Sequence, residues 1–237
     1  MNDHAVYLEP SFVLNSRSYR ESSLIVDVLT QRHGKLALLV KGIKNKKTTE
    51  TAALLQPFNA LLISLVGNSD GLRILSDVEL ESLPFPLKGM TLYCGFYVNE
   101  LLSYLLHGNA PCPEIFMIYR DFINNLHTDS ENLEKSLRLL ELKLLENLGY
   151  GLQLTHDFSQ NQDVIPEKKY YFIPDQGPVE SIDGFISGSS LIALERKKLD
   201  NKQTLMESKK LMRYVIDFYL QGHQLKSRSL FKKNLQS

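Results

Sequence analysis

The strongest constraint on the fold of this 237-residue chain is a change of periodicity near residue 84. Before that point, turn sequences separate five short runs that are rich in β-branched and aliphatic residues. These runs cover residues 12–14, 23–29, 35–40, 60–66 and 72–81. No crossover helix long enough for a parallel sheet lies between them, so the pattern predicts a small antiparallel barrel of five strands.

Beyond residue 84 the apolar residues recur at helical spacing. Segments 89–107 and 113–126 are predicted helices, and a third follows a Thr128-x-x-Glu131 capping box and ends at Gly149. A strand-like run at 169–173 with a turn at 174–178 predicts a hairpin. Helical spacing returns over 191–198 and 204–220.

The predicted fold class is therefore α+β. An N-terminal five-stranded OB-fold (oligonucleotide-binding) β-barrel is expected at residues 1–82, followed by a central α-helical domain at 83–150. Residues 151–190 are expected to form a small irregular or β-hairpin insertion. Residues 191–237 are expected to form a C-terminal helical region that packs on the central domain.

Charge is segregated along the chain although its formal sum is zero. Residues 1–47 carry eight Lys/Arg against four Asp/Glu, residues 196–237 carry eleven against three, and the intervening segment carries eight against twenty. Two basic ends and an acidic middle indicate a protein that binds polyanions with part of its surface. No apolar run approaches the ~20 residues needed to cross a bilayer, and no signal peptide is seen, so a cytoplasmic protein without a membrane partner is expected.

The basic segment from Arg32 to Lys47 is the first candidate site because it contains no acid. Residues 41–47 are expected to be a mobile connection whose ammonium groups follow a phosphate backbone. Such cations near an aromatic ring suit sequence-independent binding of single strands. The predicted DNA-binding residues are Arg17, Tyr19, Arg20, Arg32, Lys35, Lys41, Lys44, Lys46, Lys47, Arg73, Lys226 and Arg228.

Patterns for catalysis or metal binding are sparse. Glu167 and Lys169, with an aspartate upstream, are similar to the acid and acid-x-lysine arrangement of metal-dependent nucleases, so a nuclease is one alternative function. A protein-only adaptor is the other. Cys94 and Cys112 lack a CxxC spacing, and the histidines have no partners at metal-ligand spacing. A non-catalytic protein without metal or cofactor is expected.

Stretches along nearly the whole chain resemble the RecO family of bacterial recombination mediators and DNA-repair proteins. They occur in family order, and together they are specific. The stretches are Phe12 to Arg17, Tyr19 to Leu24, Gly34-Lys35-Leu36, Leu55-Gln56-Pro57-Phe58, Gly95-Phe96-Tyr97-Val98-Asn99-Glu100-Leu101-Leu102, Leu148-Gly149-Tyr150-Gly151 and Leu225 to Leu230.

The resemblance implies binding of single- and double-stranded DNA, annealing of complementary strands and association with RecR. It also implies help in loading recombinase onto DNA coated by single-stranded-DNA-binding protein, whose acidic C-terminal tail the family captures in a groove. The groove arginine falls on Arg138, with Leu142 and Leu105 as apolar neighbours. From the residues alone, Arg138 is either a structural filler among leucines or a carboxylate receptor. Many relatives carry a four-cysteine zinc module in the segment that corresponds to 151–190, which contains no cysteine here, so zinc is not expected.

Overall fold

The chain forms two compact units in the computed structural model, which describes residues 5–42, 46–67, 72–84, 86–108, 110–126 and 132–233. The first unit comprises Met1–Thr128 together with Leu225–Ser237, and the second comprises Asp129–Gln224. The segment predicted as one central helical domain is thus divided between the two units. No helix in the described part of the chain is long and apolar enough to span a membrane.

A closed barrel of five strands in the order β1-β2-β3-β5-β4 confirms the predicted N-terminal fold. Its elements are β1 (Val6–Tyr19), β2 (Ser23–Thr30), β3 (Gly34–Lys41), α1 (Lys46–Leu54), β4 (Leu61–Val66) and β5 (Arg73–Leu80). The expectation of purely antiparallel pairing is wrong at one seam, because β3 and β5 pair in parallel at Leu38↔Arg73 and Leu39↔Ile74. That seam closes the cylinder and removes the exposed strand edges.

Alternating side chains fill the barrel interior. Along β3, Leu36, Leu38 and Val40 are buried while the residues between them are only partly covered. Strand β1 differs because Phe12, Val13 and Leu14 are all buried in succession. Its pairing with β2 shifts register between Val13 and Asn15, so a β-bulge interrupts the alternation there.

The mobile connection predicted at residues 41–47 falls partly on residues 43–45, which lie outside the described residues, and a helix that the sequence did not predict follows it. Helix α1 covers Lys46–Leu54 and packs near β5. Lys, Glu and Ala favour helix, and this stretch contains neither glycine nor proline. Its apolar residues are too few to give the helical spacing from which the other helices were predicted.

Helices α2 (Gly89–Leu105), α3 (Pro113–Asn125) and α7 (Arg228–Lys233) complete the first unit. Pro113 occupies the first turn of α3, where its missing N–H costs no hydrogen bond. Phe12 of the barrel packs against Phe116 and Tyr119 of α3, with ring centroids 5.5 and 5.0 Å apart. The outer face of β1 is therefore buried by the helices.

The second unit combines short strands with three helices. Its elements are α4 (Leu133–Asn147), β6 (His156–Asp157), β7 (Gln162–Asp163), β8 (Lys169–Ile173), β9 (Gly177–Glu180), β10 (Ile186–Ser187), α5 (Gly188–Glu195) and α6 (Lys202–Tyr219). The predicted hairpin is confirmed as β8 and β9, which belong to a three-stranded sheet in the order β10-β8-β9. The predicted capping box at 128–131 lies outside the described residues.

Candidate nucleic-acid interface

Three strands of the barrel bring predicted DNA contacts together at one end. Tyr19 is the last residue of β1 and pairs with Ser23, the first residue of β2, which in turn pairs with Lys41 at the end of β3. Neighbouring strands lie about 4.8 Å apart, so Tyr19 and Lys41 are about 10 Å apart across the sheet. We call this group, with Arg17 and Arg20, the Tyr19 end of the barrel.

The Tyr19 end combines an aromatic ring with cations. Arg20 takes a left-handed backbone conformation, with φ of 53°, and its guanidinium carbon lies 5.1 Å from the centroid of the Tyr19 ring. Arg17 Nη1 donates to Asp27 Oδ2 at 2.8 Å, yet just over half of its side chain remains exposed. Glu21 follows in the exposed turn, so the end carries three cations against two acids, one of which is paired with Arg17.

Arg32 and Lys35 lie at the opposite end of the barrel, where β2 turns into β3. Six residues of strand separate Lys35 from Lys41, which corresponds to about 20 Å. The continuous basic segment in the sequence therefore does not form one continuous surface. The structure brings Lys41, but neither Arg32 nor Lys35, to the Tyr19 end.

Both residues of that opposite end also hold the first unit together. Arg32 donates from its backbone N and from Nε to the two carboxylate oxygens of Glu9, each at 2.6 Å, and Glu9 is fully buried. Lys35 Nζ donates to the Ser103 carbonyl of α2 at 2.6 Å. Burial lowers the pKa of Lys35 below its ordinary value, and the charge of Asp27 opposes that shift. Their assignment as DNA contacts stays a prediction.

The side chains of three further predicted lysines lie outside the described residues, and one predicted arginine is buried. Lys44 lies outside the described residues, as do the side chains of Lys46 and Lys47 at the start of α1. Arg73 begins β5 beside Leu38 and is only 6% exposed, so it has little surface to offer a phosphate.

The C-terminal return places the remaining predicted contacts on the first unit. Glu100 of α2 accepts hydrogen bonds from the backbone N of Lys226 and of Ser227, at 2.9 and 2.8 Å. Phe231 then packs edge-on against Tyr93 and Tyr97 of α2. Arg228, another predicted DNA contact, begins α7 and is partly exposed. These contacts fix the exposed Lys226 against the helix that packs on β1.

An open pocket of about 630 Å³ lies between β1, α2 and this C-terminal segment. Asn15, the residue that follows the β1 bulge, lines it together with Ser103 and Lys226. The structure thus brings the basic C-terminal segment to the barrel, which the sequence did not predict.

Sequence reasoning missed the two polar residues that organise this unit. Asn99 Nδ2 donates to the carbonyls of Val13 and Leu14, each at 3.1 Å, and Asn99 Oδ1 accepts from the Tyr119 hydroxyl at 2.6 Å. Glu100, the next residue, receives the C-terminal segment. The signal in the sequence is an Asn-Glu pair inside a largely apolar helix, within the stretch 95–102 that resembles the family.

The predicted tail-binding residues fall in different units. Arg138 and Leu142 lie on α4 of the second unit, and Leu105 ends α2 of the first. All three are buried, at 5%, 2% and 3% exposure. Arg138 Nη2 donates to Glu141 Oε1 at 2.6 Å, one turn further along the same helix. Arg138 therefore already has a carboxylate partner within its own helix.

The upstream aspartate of the nuclease pattern is Asp157 or Asp163, and Asp157 has a structural role in the described structure. Asp157 accepts hydrogen bonds from Ser159, from Gln160 N and from Glu180 N, so it organises the turn around it. Burial alone would raise the pKa of Asp157, but these hydrogen bonds outweigh burial and lower it. No cluster of three or more potential metal ligands occurs among residues 5–42, 46–67, 72–84, 86–108, 110–126 and 132–233.

A closed five-stranded barrel that continues into helices defines an OB-like α+β protein. The family model for the N-terminal domain of recombination protein O matches residues 5–83, and the model for its C-terminal domain matches residues 88–229. This chain belongs to the RecO family.

Relatives named DNA repair protein RecO match nearly the full length of the chain. The relative from Methylococcus capsulatus is 40% identical over 97% of this chain and 94% of its own length. The relative from Nitrosospira multiformis is 37% identical over 95% of this chain and 94% of its own. One from Coxiella burnetii is 39% identical over 95% of this chain and 97% of its own. These homologues indicate a role in DNA repair and recombination.

Proposed function

We propose that the protein binds single- and double-stranded DNA and anneals complementary strands in the bacterial cytoplasm. The observation that carries the proposal is the Tyr19 end, where the strand register brings Arg17, Arg20 and Lys41 to the same rim of the barrel as one aromatic ring. Cations follow the phosphates of a strand, and a ring stacks on a base of any identity. Binding at this end is therefore expected to be independent of sequence.

Annealing requires no bond chemistry. Two complementary strands repel each other through their phosphates, and base pairing supplies the driving force once that repulsion is reduced. Lys226 supports a role for the C-terminal segment in this step, because Glu100 holds that segment on the same unit as the barrel. One strand would follow the Tyr19 end, and Lys226 would contribute to neutralising the second.

The salt dependence of binding tests the assignment to the Tyr19 end. Contacts with about five phosphates of a single strand give a log–log slope of roughly −3.5, or about a hundredfold weaker binding between 50 and 200 mM salt. Changing Arg17, Arg20 and Lys41 together to alanine should make the slope less steep by about 2. Lys143→Ala, at an exposed position of α4, is the matched control and should leave the slope unchanged.

A fluorescence titration with a labelled single-stranded oligonucleotide at several salt concentrations measures these slopes. The same variants can be mixed with two complementary oligonucleotides to obtain annealing rates, which should fall with affinity. A triple variant that retains the wild-type slope would refute the assignment to the Tyr19 end. A wild-type slope near zero would refute DNA binding by charge altogether.

We further propose that the protein acts with RecR to load recombinase onto DNA covered by single-stranded-DNA-binding protein, and that Arg138 receives that protein's acidic C-terminal tail. Two observations support this proposal. The chain belongs to the family, and Arg138 places a guanidinium on α4 four residues before the buried Leu142. A tail carboxylate would have to share or replace the Glu141 contact. Glu141→Gln should therefore strengthen tail binding if the two carboxylates compete.

The tail proposal is tested with an acidic C-terminal peptide and with naked DNA in parallel. Arg138→Ala should weaken peptide binding at least tenfold and leave the affinity for DNA nearly unchanged. An equal loss of both would show that Arg138 only maintains the fold. RecR association is tested by co-purification of the two full-length proteins.

A further inference from the structure

Two tyrosine rings of the second unit pack against Phe185. The Tyr171 ring contacts Phe185 edge-to-face at a centroid distance of 6.0 Å, and the Tyr214 ring does so at 5.7 Å. Lys210 Nζ lies 5.1 Å from the centroid of the Phe185 ring. The two tyrosine rings are therefore no more than about 12 Å apart, and both contact the same phenylalanine.

The fold holds both tyrosines at the surface in fixed orientations. Side chains alternate along β8, so Tyr170 and Phe172 are buried while Tyr171 points outward and is 48% exposed. Tyr214 projects from α6 and is 47% exposed. Edge-to-face packing on Phe185 restrains both rings, so little rotational freedom remains to be lost when a ligand binds.

Cations accompany the rings. Lys210 and Arg213 precede Tyr214 by four residues and by one residue on α6, and both are exposed. Lys169 is exposed on the same face of β8 as Tyr171. Acids are interspersed with these cations in the sequence, and Asp183 lies two residues before Phe185 while Asp217 lies three residues after Tyr214.

We propose that Tyr171 and Tyr214 form a stacking platform for unpaired bases of single-stranded DNA, with Lys210 and Arg213 as phosphate contacts. The proposal rests on the DNA binding proposed above and adds a site on the second unit. Rigid, half-exposed rings beside cations suit single-stranded DNA, because every base can stack on a ring and every phosphate can contact a cation. Paired bases are stacked inside the duplex, so the platform distinguishes single-stranded from double-stranded DNA.

The full-length protein is tested with a labelled oligothymidine and with a labelled duplex. Tyr171→Ala and Tyr214→Ala should each weaken oligothymidine binding at least about fivefold, because stacking contributes about 1–3 kcal/mol per base. The duplex affinity should not change. Tyr171→Phe and Tyr214→Phe keep the rings and should bind within about twofold of wild type. Phe158→Ala removes a ring that is 55% exposed in the same unit but outside the platform, and it should have no effect.

Salt dependence separates stacking from charge. The tyrosine variants should keep the wild-type slope, because no phosphate contact is lost. Lys210→Ala should make the single-strand slope less steep by about 0.7. Tyrosine-to-alanine variants that bind oligothymidine as wild type does would overturn the proposal, and this is the result expected if the surface contacts another protein instead.

Cross-linking of the wild-type protein keeps the proposal testable if the alanine variants misfold. An oligonucleotide that carries 5-iododeoxyuridine should cross-link to peptides containing Tyr171 or Tyr214, and cross-links confined to the first unit would overturn the platform. The wild-type titration separates the two proposals. If the wild-type protein shows no salt-dependent binding of DNA, both proposals are refuted. If it binds DNA but the affinity does not depend on Tyr171 or Tyr214, only the stacking platform is refuted.

Discussion

Replacing Asn99 by alanine tests how firmly helix α2 holds the barrel. The Asn99 amide fills the gap made by the β1 bulge, where it donates to the Val13 and Leu14 carbonyls, and it accepts from the Tyr119 hydroxyl. Burial raises the pKa of Tyr119, and the hydrogen bond to Asn99 only partly offsets that shift, so the phenol stays protonated and remains a donor. Alanine would leave three buried polar groups without this partner.

The expected loss follows from those three groups. A buried donor or acceptor left unsatisfied costs about 1–3 kcal/mol, so the loss of a partner for three such groups should lower the free energy of unfolding of Asn99→Ala by about 3 kcal/mol or more. That is a large part of the roughly 5–15 kcal/mol typical of a folded protein. Tyr119→Phe removes one of the three hydrogen bonds and should cost about 1–2 kcal/mol.

Urea denaturation followed by circular dichroism measures these losses, and the double variant gives the coupling between the two side chains. Asn147→Ala is the control, since Asn147 donates from an exposed site of α4 to the Lys143 carbonyl at 2.8 Å. Its loss should stay below about 0.5 kcal/mol. A loss for Asn99→Ala as small as that of the control would refute the reasoning.

Two further predictions concern stability. Gly34→Ala should destabilise the barrel strongly, because φ is +67° and a Cβ would lie 2.0 Å from the Ala110 carbonyl oxygen. Gly108→Ala is the control, because Gly108 has a similar φ of +68° but open space around it, so this variant measures the backbone strain alone. Equal decreases in the thermal unfolding temperature of the two variants would contradict the steric argument. The pKa of Asp157 in the folded protein lies below its ordinary 3.8. The ionised carboxylate therefore stabilises the folded state above pH 3.8, and this stabilisation is lost as the pH falls through the folded-state pKa. Acid titrations of stability should therefore be less steep for Asp157→Asn than for wild type, and identical curves would contradict this assignment.

Local periodicity accounts for the elements that the sequence predicted well. Alternation along β3 and helical spacing in α2, α3 and α6 reflect one buried face per element, so each pattern can be recognised within a single segment. Strand β1 was recognised only over residues 12–14 of the Val6–Tyr19 range. The bulge and the burial of both of its faces hide the alternation there.

The remaining features depend on partners distant in sequence. The parallel seam between β3 and β5 follows from barrel closure, and no local pattern encodes it. Arg32 and Lys41 are near one another in sequence, but a β-strand carries them to opposite ends of the barrel. Glu9 is buried where it accepts from Arg32, which lies 23 residues further along the chain, and no local pattern indicates that pairing. Charge patterns in the sequence therefore identified cationic residues without showing which of them share a surface.

The return of residues 225–233 to the first unit makes the second unit an insertion within it. The polypeptide crosses between the units twice, so a protease that cuts one crossing leaves them covalently joined through the other. During synthesis, the inserted unit emerges from the ribosome before α7, and it can fold while the first unit still lacks its last helix. The segment that contacts Glu100 is thus made after the whole inserted unit, so the barrel-bearing unit gains its last contacts with α2 only once the inserted unit has been synthesised.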